Sequence, residues 1–88
     1  MELNTIKQLL LTKKWTDNTM GITYRFVNDK ELIINGVSGY TYQLKINKNS
    51  IILSINPETS PDIFDIEIID GENLKLSDNK KIFILTAN

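Results

Sequence analysis

The side chains best equipped for chemistry in this chain are carboxylates. Asp62, Asp65, Glu67, Asp70 and Glu72 fall within one stretch, PDIFDIEIIDGE. Asp65 and Glu67 are two residues apart, which in a strand puts both on one face, the arrangement a carboxylate pair or a hard-cation site needs. Against that reading stands a solvated face. The stretch has no Asp-x-Asp-x-Asp-Gly ligand loop, and Lys75 lies near enough to pair with the acids. Histidine and cysteine are both absent. Their absence removes the commonest general base, thiolate chemistry, disulfides and the usual zinc ligands together. Catalysis would rest on carboxylates, lysines or tyrosines, and no pair of them is convincingly placed. The sequence therefore predicts a protein that is not an enzyme and carries no cofactor or metal.

The elements that must position these groups follow from apolar spacing. Leu3, Ile6 and Leu10 fall on one helical stripe, with Leu9 and Leu11 at its margins. The spacing predicts a short helix over about residues 2–12, either docking a partner or lying on a β-structure. From Met20 onward the period is two. Strands are expected over 20–27, 31–37, 40–46, 51–56, 63–69, 73–77 and 81–86, separated by turn-rich punctuation. Connections of two to four residues force sequential strands to pair antiparallel, since a parallel pair needs a long crossover. The expected fold is all-β, an antiparallel up-and-down meander of about 7–8 strands, in one domain over residues 1–88.

Turn lengths decide which residues share a face. A Lys48-Asn49 turn sets Leu44 opposite Leu53. An Asn79-Lys80 turn sets Leu76 opposite Phe83. An Asn28-Asp29 turn would set Tyr24 opposite Ile33, and a Ser38-Gly39 turn Asn35 opposite Tyr42. A three-residue loop, Ile69-Asp70-Gly71 with glycine in the left-handed region, would set Ile66 opposite Leu74. These registers gather an apolar face that carries Tyr24, Phe26, Ile33, Tyr40, Tyr42, Leu53 and Phe64, with Asn35 as its polar intruder. On the opposite face, Leu32, Ile34, Ile52, Ile63, Ile69, Ile82 and Ile84 leave an apolar patch among the charges. Either β-propensity or a covering partner accounts for it.

The meander, with Trp15 after LLLTKK, the hairpin YRFVNDKELII, the strand YTYQLKI and the closing LKLSDNKKIFILT, resembles the small bacterial lipocalin-like domains of the calycin group. In the position two residues before Trp15, where lipocalins carry glycine, this chain has Lys13. The resemblance implies a small barrel or half-barrel with a short N-terminal helix. Two readings of function follow. In the first, a small apolar ligand sits inside the barrel against Trp15, Tyr24, Phe26, Tyr40, Tyr42 and Phe64, oriented by Asn35. In the second, the outer face or an open barrel edge forms a homodimer.

Charge and length narrow the partners. The formal net charge is −1, with acids and bases interspersed over 88 residues, so no field is available to hold nucleic acid. No run approaches the roughly 20 apolar residues of a membrane span. The start, MELNTIKQLLLTKKW, lacks the basic n-region and continuous apolar core of a signal peptide, and a cytoplasmic location is expected.

Overall fold

The computed structural model describes residues 2–87 and consists of one helix followed by eight strands in a closed antiparallel barrel. The helix α1 spans Glu2–Thr12, as its apolar stripe predicts. The strands are β1 (Lys14–Asp17), β2 (Thr23–Phe26), β3 (Glu31–Ile34), β4 (Val37–Asn47), β5 (Ser50–Ile55), β6 (Asp62–Asp70), β7 (Asn73–Ser77) and β8 (Ile82–Ala87). Each pairs with its sequence neighbours, and β1 closes the circle on β8 through Trp15↔Ala87, Thr16↔Thr86 and Asp17↔Leu85. The up-and-down meander is thus complete, with no unpaired edge strand.

The strand absent from the sequence reading is the one that closes the barrel. β1 has only four residues, Lys-Trp-Thr-Asp, too few to display a period of two. Its end is fixed by Asp17, whose Oδ1 accepts the backbone N–H groups of Thr19 at 2.8 Å and Met20 at 3.4 Å. Gly21, at φ 71°, then turns the chain into β2 and donates its N–H to the Asp17 carbonyl.

Two expected registers hold. Leu44 pairs with Leu53 and Leu76 with Phe83. Three others are corrected. Between β2 and β3 the loop has three residues, because Asn28 Oδ1 accepts both the Lys30 and Glu31 N–H groups and Val27 bonds Glu31. Tyr24 consequently meets Ile34, so Leu32 and Ile34 turn inward and Ile33 outward, the reverse of the expectation. Between β3 and β4 the turn is Asn35-Gly36, with φ of 51° and 79°, the left-handed pair that a two-residue hairpin favours. Ser38 and Gly39 lie inside β4 as a bulge opposite Ile33. Between β6 and β7 a two-residue Gly71-Glu72 turn follows a bulge at Ile69. The bulge shifts the register by one residue and so performs the parity correction expected of a three-residue loop. Together with the later turn it leaves Ile66 opposite Leu76, two residues beyond the expected Leu74.

The core lies in the lumen. Trp15, Phe26, Leu32, Leu53, Ile66, Leu74 and Leu85 are each 3 % exposed or less, and α1 adds Ile6 and Leu10. Eight strands enclose a space just wide enough for side chains. Here a helix face contributes to filling it as well. Trp15 locks the helix in place, since its indole N–H donates to the Leu9 carbonyl at 3.2 Å. That carbonyl belongs to the last helical turn, where carbonyls run short of partners within the helix. From the next residue on, Lys13 Nζ donates to the Gly71 carbonyl at 2.7 Å, which ties the end of α1 to the β6–β7 turn.

Candidate binding clefts beside the helix

The residues expected to line a ligand pocket are divided among three environments. Trp15 and Phe26 are core residues, and the Phe26 ring meets the Tyr42 ring edge-on at 4.9 Å between centroids. Phe64 and Tyr40 are half-buried against the same core, Phe64 edge-on to Phe83 at 6.0 Å. Asn35 is the correction. It is an exposed turn residue, and its Oδ1 accepts the Thr23 N–H at 2.9 Å, so it is not a polar group on the inner face. The one-residue change in the β2–β3 register moves it there.

The tyrosine hydroxyls differ in what surrounds them. Tyr42 donates to the Asn28 carbonyl, which occupies its hydroxyl and braces the β2–β3 loop. Burial, and then the Asp29 carboxylate, push its phenol above the usual tyrosine value. Tyr24 is pushed the same way by burial, then by Asp17 and Asp62. Those two acids stand on β1 and β6, which are separated around the barrel by β7 and β8. Asp17 itself is 2 % exposed, a buried carboxylate whose partners are the N–H groups of its own turn.

Two clefts open beside α1. The larger, about 490 Å³, is bounded by Lys7 of the helix, Asp29 and Lys30 of the β2–β3 loop, Thr41 to Leu44 of β4, and Pro57 and Glu58 of the β5–β6 loop. Its floor is the inward-facing pair Tyr42, which is buried, and Leu44, which is half-buried. Its rim has two cations and two acids. The smaller, about 380 Å³, lies at the helix C-terminus between Leu11, Thr12, Lys13, Lys14, Arg25, Phe26 and Val27. Of the seven residues expected in a pocket, Tyr42 lines the first cleft and Phe26 the second.

Sequence reading missed Lys7, Asp29 and Glu58 because separate elements bring them together, and Lys14 with Arg25 because β1 was unseen. The Asn28 cap was the one local signal for the Asp29-Lys30 side. The acidic hairpin is a solvated face. Glu67 pairs with Lys75 at 3.3 Å, and Asp70 Oδ1 accepts the Glu72 N–H, which with the Asn73 amide holds its carboxyl below the usual range. Among the described residues no group of three acids converges on a metal position, and no helix is long and apolar enough to cross a membrane.

Fold and clefts together define a helix-braced, eight-stranded antiparallel barrel with its concavities beside the helix. Comparison with known family models, with curated proteins and with solved structures finds no match.

Proposed function

We propose that this protein is a non-enzymatic, lipocalin-like binding domain whose ligand occupies the cleft between α1 and β4. The eight-stranded closed meander behind a short N-terminal helix supports the lipocalin-like reading. The observation that carries the ligand site is the cleft itself. Its volume of about 490 Å³ lies within the range of small-molecule sites, and it opens onto the inner-face residues Tyr42 and Leu44. The lumen is occupied by the chain's own side chains, so the ligand lies at its margin. An apolar body would rest on Tyr42, Leu44 and Pro57, and polar ends would meet Lys7, Lys30, Asp29 and Glu58. No nucleophile stands beside a base there, in keeping with binding rather than turnover.

The test uses N-phenyl-1-naphthylamine, a neutral apolar dye. Its emission should rise saturably with the wild-type chain and bind at least tenfold more weakly to Leu44→Glu. Leu44 is only half-buried, and the variant's amide spectrum checks that it is folded. Absence of saturable binding, or equal binding by the variant, defeats the site.

One further observation favours the second reading, self-association. Each even-numbered strand starts at the end away from α1, and each has an exposed apolar residue there: Met20 before β2, Val37 on β4, Ile63 on β6 and Ile82 on β8.

A further inference from the structure

We propose that the smaller cleft is a separate site for an amphiphilic oxyanion, a carboxylate or phosphate head on a short apolar tail. The pairing of β1 with β2 sets Lys14 directly opposite Arg25. Like charges directly opposite one another across a strand pair repel, which is a cost to the fold unless a counter-charge sits between them. Among the described residues the chain supplies none. The ion pair formed among them is Glu67 with Lys75, on β6 and β7, and no acid lines this cleft. Lys13 is already committed, its amine on the Gly71 carbonyl and its charge near Asp70. The two uncommitted cations are therefore Lys14 and Arg25, both exposed. The Arg25 guanidinium offers paired N–H groups matched to two oxygens of one carboxylate or phosphate, and Lys14 adds a point charge.

The rest of the cleft says what the anion carries. At about 380 Å³ it holds roughly a dozen waters, more than a bare oxyanion displaces. Its other walls are Thr12 and Lys13 together with three apolar residues, Leu11, Phe26 and Val27. Leu11 and Val27 are 38 % and 48 % exposed, large apolar groups left wet on either side, and the Phe26 ring lies at the floor. A head on Arg25 and Lys14 leaves a short tail lying between Leu11 and Val27. The site is distinct from the Tyr42–Leu44 cleft, and its variants leave that cleft untouched.

Decyl phosphate below its micelle concentration is the probe, followed by amide chemical shifts of the full chain. The wild type should show saturable shifts centred on Lys14, Arg25, Leu11 and Val27, weakening as salt is raised. Inorganic phosphate should bind at least tenfold more weakly, and decanol should leave these resonances unmoved. The double variant Lys14→Gln with Arg25→Gln should bind decyl phosphate at least tenfold more weakly while melting no lower than wild type, since it relieves a repulsion. Lys45→Gln, the loss of one cation on β4 away from the cleft, should bind as wild type does. Equal affinity of the double variant overturns the proposal, as does decanol binding as tightly as decyl phosphate. Inorganic phosphate matching decyl phosphate overturns the tail. Binding to vesicles of phosphatidylcholine with phosphatidylglycerol but not to monomeric decyl phosphate also overturns it, because the patch would then be a membrane-facing one.

Discussion

Short polar side chains at the loops set much of this barrel's geometry. Asp17, Asn28, Asp70 and Asp78 each turn a side-chain oxygen back onto backbone N–H groups two or three residues ahead. Such side chains offer the backbone an alternative to the ladder and so end a strand. Asn35 and Asn56 act across strands, reaching the Thr23 and Thr41 N–H groups instead. Two glycines separate this turn chemistry from the one the sequence suggests. Gly36 sits at φ 79°, where an L side chain is strained, although open space surrounds it. Gly71 is outside the left-handed region and equally open. Gly36→Ala should cost about 1 kcal/mol, whereas Gly71→Ala should be neutral or slightly stabilising through the unfolded chain. Urea unfolding of the two variants checks the pair. A larger loss at Gly71 than at Gly36 contradicts the turn assignment.

Among the elements, α1 depends most on the rest of the molecule. Eleven residues are marginal as a helix in water, so its order comes from packing on β1 and β2 and from the Trp15–Leu9 bond. Leu10→Ala should therefore cost about 2–5 kcal/mol, a large share of the roughly 4–13 kcal/mol expected for a chain of this length. The adjacent Leu11→Ala should cost under about 1 kcal/mol, because Leu11 is 38 % exposed. Thermal and urea unfolding of both measures which face is docked, and equal losses would contradict it. The helix was legible because its stripe spans three turns. β4, β5, β7 and β8 were legible because two-residue turns leave parity nothing to hide. β1 was not, since four residues carry no period. β3 came out inverted because a side-chain cap at Asn28 added one residue to the loop, and a one-residue slip reverses a strand. The Asn35-Gly36 pair carried a hairpin signal of its own, overridden when Ser38-Gly39 was given the turn. Of the candidate sites, only Tyr42 and Phe26 were readable. Lys7 and Glu58 meet across α1 and the β5–β6 loop, and Lys14 meets Arg25 only once β1 exists.

For the whole molecule, closure changes the argument about association. The β1–β8 pairs leave no unpaired ladder, so an open edge no longer provides a reason to dimerise. Ile34, expected outside, faces the core. On the outer wall, the Glu67–Lys75 ion pair bridges β6 and β7. What remains is the end away from the helix. Met20, Val37, Ile63 and Ile82 are 66 %, 56 %, 55 % and 63 % exposed there. Fully burying one such side chain contributes about 1.5–3 kcal/mol. Mouth-to-mouth docking about a twofold axis would bury the rest of eight of them, enough to offset the entropy of association at micromolar concentration. A twofold dimer through this end is the expected outcome. Sedimentation at tens of micromolar should show twice the 10.1 kDa chain mass. Met20→Asp and Ile82→Asp should each return the monomer, since each would bury an unpaired charge in the interface. Both side chains are largely in water in the single chain, so neither variant should lower the monomer's own stability by more than about 0.5 kcal/mol. A single species at 10.1 kDa for the wild type defeats the dimer. A dimer that survives both substitutions places the interface elsewhere on the barrel.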